Sequence, residues 1–202
     1  YNAAMQIDTS MNKQVYIKSL LIVGVEKMPY AHSLKFLRKL TLKLGGTFRS
    51  HGVQEERSNF YTQTDSTGTS PVICWESVFG EYVTGYIKKG SDLIFIITND
   101  GWWGNTPGHR QHNSFARLRA IENRRSIARS ANTGISSLIN QKGEILQKTR
   151  YWEADALRGT LNKNDKLTFY TKHGDYIARI AYFFSLLIVL YTITRFIIQR
   201  KK

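Results

Sequence analysis

The sequence predicts an α/β layered domain followed by a helix that crosses a membrane. Three observations carry this. Strand-like and helix-like stretches alternate between residues 71 and 147. One of them, Asp92 to Thr98, is short, continuously apolar and rich in β-branched residues, the pattern of a buried strand. Near the end, Ile180 to Thr194 carries no charge. At 202 residues, 42% hydrophobic and 12% aromatic, the chain can bury a sizeable core.

Residues 2–7 and 14–17 read as a hairpin turning around Asp8-Thr9-Ser10. Leu20 to Glu26 is an apolar loop or short strand. Ser33 to Leu44 has helical spacing, with Leu34, Leu37, Leu40 and Leu44 on one face, and Gly45-Gly46 caps it. Arg49 to Thr69 is polar, with a turn at Asp65 to Gly68. Residues 71–74 form a strand and 77–89 a helix that stops at Gly90. The Asp92–Thr98 strand runs into a loop, Asn99 to Asn105, and His109 to Arg125 is helical. Ser126–Ala131 and Gly134–Asn140 are strands, and Gln141 to Glu144 turns the chain into Ile145–Gln147. No internal repeat or low-complexity segment interrupts this order.

After Ile180–Thr194, Arg195 is followed by Phe196-Ile197-Ile198 and then by a basic close, Gln199-Arg200-Lys201-Lys202. Nineteen residues counted to Ile198 are enough for a span if Arg195 snorkels, and Tyr182 and Tyr191 suit the interfaces. The competing reading is an apolar core helix. We divide the chain into a domain at 1–172, a span at 176–199 and a basic tail at 200–202, which the positive-inside rule puts in the cytoplasm. The opening directly in strand-like alternation at Tyr1 reads as the middle of a domain.

Net charge is +14. Such a balance suits nucleic acid, an anionic membrane surface or acidic ligands, but no nucleic-acid motif accompanies it. A solvated basic face is the plain alternative. A single cysteine excludes an intrachain disulfide.

That cysteine, Cys74, stands in Ser70-Pro-Val-Ile-Cys-Trp-Glu76, where a strand ends and a helix follows. The position offers a thiol at a sheet edge near the positive end of a helix dipole, which favours thiolate. Alone, it reads equally as a small buried hydrophobe. Two further pieces join it: Tyr16-Ile-Lys18 with Glu26 eight residues on, and Thr98-Asn99-Asp-Gly-Trp102-Trp103-Gly104 leading into Gln111-His112 and Arg117 to Glu122. In this order and spacing they resemble the nitrilase superfamily, and within it the apolipoprotein N-acyltransferases of bacterial inner membranes.

The resemblance covers essentially the whole chain. It implies a partial nitrilase-type αββα sandwich, its N-terminal part missing, followed by one C-terminal transmembrane helix. Cys74 matches the nucleophile, Lys18 the triad lysine and Glu26 the essential glutamate of the lysine–loop–glutamate motif. Glu76 matches the acidic residue two positions after the nucleophile. Trp102 matches the aromatic of the Asn-Asp-x-Trp motif that begins at Asn99, and Arg129 to Ile135 the Arg-Ser-x-Asn-x-Gly-Ile stretch. Val23 stands where the family has proline. The triad glutamate of an early Pro-Glu motif has no match here and is expected upstream. On that expectation the chain alone is inactive and exposes apolar faces.

The implied chemistry moves an acyl chain from a phospholipid to Cys74 as a thioester, then to the amine of the N-terminal diacylglyceryl-cysteine of an apolipoprotein. Lys18 and the backbone N–H of Trp75 would stabilise the oxyanion. Trp102, Trp103 and Phe79 would wall the acyl chain. The implied setting is the bacterial inner membrane, with the domain facing the periplasm and with no cofactor, metal or nucleic acid. Other readings stay open. Cys74 with His112 is a protease-like dyad lacking an evident orienting residue. His109 and His112 are metal ligands lacking a third partner. Arg110, Arg117, Arg119, Arg124, Arg125 and Arg129 bind lipid phosphate or form structural ion pairs. The rivals for the whole are a membrane-tethered amidase and a non-catalytic remnant.

Overall fold

The computed structural model describes residues 1–9, 13–23, 25–27 and 51–200. The expected helix Ser33–Leu44 and its glycine cap lie outside them. Ala3–Gln6 (β1) and Gln14–Ile17 (β2) pair antiparallel, Ala4 opposite Tyr16, as the hairpin pattern predicts. Six further strands form one sheet in sequence order: Phe60–Tyr61 (β3), Gly68–Ile73 (β4), Leu93–Asn99 (β5), Ser126–Asn132 (β6), Ser137–Ile139 (β7) and Ile145–Lys148 (β8).

The centre of this sheet is parallel and its margins antiparallel. β4, β5 and β6 run parallel, with Ile73 beside Ile97 and Asn99 beside Asn132. Their connections carry the helices Gly80–Lys88 (α1) and Gly108–Asn123 (α2). This βαβαβ unit brings the C-terminal ends of three strands to one edge, the edge where open α/β sheets place their ligands. β3, β7 and β8 flank it antiparallel.

The core lies between this sheet and the helices. Val72, Ile94, Ile96, Ile127 and Ile139 from the strands meet Val83, Tyr86, Ile87, Ala116 and Ala120 from α1 and α2, all buried. Fully burying a large aliphatic side chain stabilises by roughly 1.5–3 kcal/mol, so this layer holds the domain together. Burial along β5 alternates: Ile94, Ile96 and Thr98 face the core, while Phe95 and Ile97 are 40% and 50% exposed. The continuous apolar run predicts burial on both faces. Among the described residues the helix-side face is the one that is buried.

Element boundaries differ from expectation where local pairing or backbone angles intervene. β4 begins at Gly68 because Gly68 and Thr69 pair with the short β3, which polar Arg49–Thr69 does not announce. Pro71 lies beyond the two residues that pair with β3, so on that side no described strand needs its N–H. The strand ends at Ile73, one residue early: Cys74 has φ +50°, which extended backbone does not permit. Cys74–Val78 is a 3₁₀ turn and α1 starts only at Gly80, so the thiol does not sit at the start of an α-helix and the helix-dipole argument for thiolate does not apply as expected. Asn99–Asn105, expected as a loop, contains a second 3₁₀ turn, Asp100–Trp103.

Beyond β8, Phe169–His173 forms a short helix (α3) that the sequence reading passes over; Thr168 caps it, its hydroxyl accepting from the amide of Thr171 at 3.0 Å. The chain then forms a helix over Tyr176–Arg200 (α4). It is the one described helix long and apolar enough to cross a membrane, by length and composition, and none of its side chains is buried. At about 1.5 Å per residue its length exceeds a ~30 Å hydrocarbon layer. Its first turn is tied to the domain by an ion pair between Arg179 and Glu81 of α1.

Candidate active site

The site is built where β4 and β5 end. The left-handed φ of Cys74 lifts the residue out of the strand; for a side chain with a Cβ this costs about 1–2 kcal/mol. Two buried carboxylates hold the turn from opposite sides.

Glu76 holds it from the β2 side. Its Oε2 accepts the Ile73 amide at 2.9 Å, closing the turn on itself. Its Oε1 accepts the Tyr16 hydroxyl at 2.7 Å, the Ser19 amide at 2.8 Å, the Tyr82 hydroxyl at 3.1 Å and the Leu20 amide at 3.2 Å. One carboxylate thus fastens the cysteine turn to the loop that follows β2 and carries Lys18. Burial, then the charge of Glu76, pushes both tyrosine hydroxyls up, so they stay neutral donors.

Lys18, fully buried, leaves β2 into that loop and donates from Nζ to both Glu26 oxygens, at 2.9 and 2.7 Å. The amides of Ile22 and Asn2 donate to the same carboxylate, each at 2.8 Å. Burial alone would push the Glu26 carboxyl up; the hydrogen bonds from Lys18, Ile22 and Asn2 outweigh it and hold the group below its ordinary range. Glu26 is therefore ionised and engaged as a counter-ion.

Asp100 holds the turn from the other side. Its Oδ1 lies 2.9 Å from His112 Nδ1, and its Oδ2 accepts Arg129 Nη2 at 2.7 Å. His112 Nε2 in turn reaches the Cys74 carbonyl at 3.3 Å and Ser77 Oγ at 3.2 Å. Burial opposes ionisation of Asp100, but His112 and Arg129 outweigh it and hold the carboxyl low. The strand β6 that carries Arg129 approaches closely here. A Cβ on Gly134 would meet the Asp100 carboxylate oxygen at 2.5 Å, so that position needs glycine.

A cavity of about 670 Å³ opens above Cys74. Ile22, Val25, Ile73 and Ile97 give it apolar walls, and Trp75, Trp102 and Trp103 enclose it further. Glu26, Asn99 and His112 supply polar edges. Asn99 also accepts the Gly101 amide at 3.1 Å, setting the tryptophan turn. The rings of Trp75 and Trp103 lie 6.4 Å apart. Such a chamber suits a long apolar chain with one reactive polar group at its floor.

The structure thus gathers Cys74, Glu26, Trp75, Trp102, Trp103 and Asn99 around one cavity, with Lys18 behind Glu26 and Glu76 beneath the turn. Phe79, expected as a wall, packs edge-on against Trp75 at 6.1 Å and is not among the lining residues. The protease-like reading gains its orienting residue, Asp100, which the sequence did not single out. Yet His112 Nε2 is spent on the Cys74 carbonyl and Ser77, which makes the imidazole a strut. His109 and His112 serve different partners, since the His109 ring stacks on Tyr151 at 3.9 Å. The arginines divide too. Arg119 is bound to Glu122 and to the carbonyls of Ser77 and Val78, Arg125 to carbonyls including Ser91, and Arg129 to Asp100.

The chain belongs to the carbon-nitrogen hydrolase family, whose signature matches residues 1–165. Among curated relatives it is similar to an apolipoprotein N-acyltransferase of Chlorobaculum tepidum, 31% identical over 183 residues, which are 89% of this chain and 34% of that protein. An apolipoprotein N-acyltransferase of Thermotoga maritima is 30% identical over 200 residues, 97% of this chain and 37% of that one. The chain spans about a third of the length of these relatives. The fold is shared with the crystal structure of a carbon-nitrogen hydrolase from Helicobacter pylori G27, at a TM-score of 0.54, 14% identity, and coverage of 75% of this chain and 53% of that one.

Proposed function

We propose that this chain is part of an apolipoprotein N-acyltransferase that carries an acyl group on Cys74. The observation that carries the reading is a lone cysteine on a left-handed turn at the floor of an apolar cavity, beside the buried Lys18–Glu26 pair. The names of the curated relatives support the same reading.

In the first step the Cys74 sulfur attacks an ester carbonyl of a phospholipid. The carbonyl π electrons move to oxygen, and Lys18, positioned by Glu26, stabilises that oxyanion together with the Trp75 amide. Collapse expels the glycerol oxygen, which takes a proton, and leaves a thioester on Cys74. In the second step the free amine of a diacylglyceryl-cysteine attacks the thioester carbon and expels the sulfur as thiolate. A carboxylate base takes the thiol proton and later the amine proton. Glu26 is engaged with Lys18 and Glu76 with five donors, so we assign that role to the triad glutamate of the family, which neither of them matches. Glu26 positions Lys18, and Glu76 positions the turn.

We further propose three parts for the chain: a catalytic domain over 1–172, an inner-membrane span over 176–199 and a cytoplasmic tail over 200–202, with the domain on the periplasmic face. Support comes from the exposed, apolar surface of α4 and the basic residues that end it.

The test uses the full-length protein in detergent with a radiolabelled phospholipid and a synthetic diacylglyceryl-cysteine peptide. We expect a hydroxylamine-sensitive acyl-enzyme that Cys74→Ala abolishes, and peptide N-acylation to fall at least ~10³-fold in that variant. Normal thioester signal in Cys74→Ala would end the proposal. Release of ammonia from small amides without lipopeptide acylation would favour the amidase.

A further inference from the structure

Helix α2 has a second concave face. His112 looks into the cavity above Cys74, but one turn earlier His109 lines a separate pocket of about 960 Å³. This pocket is strongly basic: Arg110 and Arg117 reach it from α2, and Lys148 and Arg150 from the end of β8 and the residues after it. No aspartate or glutamate is among its lining residues; Arg150 makes one loose, exposed pair, with Glu153 at 3.7 Å. Unlike Arg119, Arg125 and Arg129, these cations are not neutralised by buried carboxylates or spent wholly on carbonyls. Arg117 fixes only its Nε, on the Gly143 carbonyl at 2.8 Å.

A second observation points to a ligand. His109 is 2% exposed and lines this pocket, yet its Nδ1 has no hydrogen-bond partner among the described residues. A buried ring nitrogen without a partner is costly, and an occupant that accepts a hydrogen bond would relieve it. The ring is not free to turn away, because it stacks on Tyr151, whose hydroxyl is fixed on the Gly104 carbonyl at 2.7 Å. Guanidinium forks, an ammonium and a ring N–H around one hollow are the donor set for a phosphate group.

The two pockets meet along one turn of the chain. Trp102 and Trp103 line the cavity above Cys74, and Gly104, the next residue, lines the basic pocket. A phospholipid has the matching layout: one glycerol unit separates its phosphate from its ester carbonyls. We propose that the basic pocket holds the phosphate of the acyl donor while the ester reaches Cys74. This rests on the reading that the donor is a phospholipid, and it assigns the recognition of that donor to Arg110, Lys148 and His109.

The test is Arg110→Gln/Lys148→Gln in the full-length protein, with Lys88→Gln on α1 as a control outside the pocket. Both replaced side chains are exposed and make no internal hydrogen bond among the described residues, so the fold should tolerate the change. Acyl-Cys74 formation is measured with a phospholipid and with a phosphate-free acyl ester. The ratio of kcat/KM for the two donors should fall about tenfold in the double variant, through KM for the phospholipid, and not in the control. In parallel, inorganic phosphate and glycerophosphocholine are titrated against the protein while tryptophan fluorescence is followed, Trp152 lining the pocket. We expect the diester to produce a change that the double variant loses. An unchanged donor ratio overturns the proposal, as does an equal loss with both donors. A response to inorganic phosphate alone, with the ratio unchanged, would make the pocket a free-phosphate site and overturn its role toward the donor. If the wild type forms no acyl-enzyme from either donor, the proposed function fails. The diester titration then judges the pocket by itself, its absence overturning the site.

Discussion

Glu76 and Asp100 are both fully buried carboxylates, and both grip the same cysteine turn, but they are satisfied in opposite ways. Asp100 faces a cation, Arg129, on one oxygen and the His112 ring nitrogen on the other. Glu76 has only neutral donors: three backbone amides and two tyrosine hydroxyls. The difference teaches what each is for. A charged cluster balances itself and can join distant strands, here β5, β6 and α2. A carboxylate ringed by amides reads backbone position, since each N–H must be aimed at it. Glu76 therefore fixes the geometry of the Lys18 loop relative to Cys74, and Asp100, through His112, fixes the Cys74 carbonyl.

The comparison predicts unequal damage. Asp100→Asn strands the Arg129 guanidinium, whose side chain is completely buried. An unpaired buried charge costs roughly 3–5 kcal/mol, so this variant should show the largest drop in thermal stability in detergent. The double variant Asp100→Asn/Arg129→Gln should recover part of that loss, because both charges leave together. If the double variant is less stable than the single one, the charge argument is wrong.

Glu76→Gln removes no cation's partner. Its amide can still accept on one side but sets N–H against N–H on the other, so we expect about 1–3 kcal/mol. Its effect on acyl-enzyme formation should be larger than its effect on stability, since Lys18 and Cys74 lose their common reference. A stability loss exceeding that of Asp100→Asn would break the comparison.

The smallest effect is that of mild acid. Glu26 and Asp100 have folded-state pKa values held below their ordinary 4.5 and 3.8. Each then contributes stability that is present above its unfolded pKa and lost as pH falls through the lowered folded value. Unfolding temperature should vary little through these two groups between pH 7 and 5, and decline below about pH 4. Asp100→Asn should lose part of this acid dependence. An acid limb of equal slope in wild type and Asp100→Asn would refute the assignment to Asp100.

Much of this arrangement is legible in the sequence. The β4–β6 strands and both crossover helices announce themselves by period and composition, and the three motif pieces predict which residues meet at one cavity. What escapes is set by contacts far apart in the chain. Asp100 is only the residue after Asn99 until β6 brings Arg129 to it. Nothing in Arg110–Arg129 marks which arginines are buried; helical phase against the sheet decides that, placing Arg119 inward and Arg110 outward. The strand β3 is two residues long and depends on its partner, so no local pattern reports it. The left-handed Cys74 is unreadable because cysteine has no preference for that conformation; surrounding bonds to Ile73, Ser77 and His112 impose it.

That backbone angle sets stability against chemistry at a single position. Glycine adopts a positive φ without the Cβ penalty, so Cys74→Gly would relax the turn and offset its own loss of chain order. A lineage released from the need for the thiol would meet little resistance from the fold in discarding it. On the proposed function, a cysteine on such a turn is kept against the local grain of the backbone, by what its sulfur does.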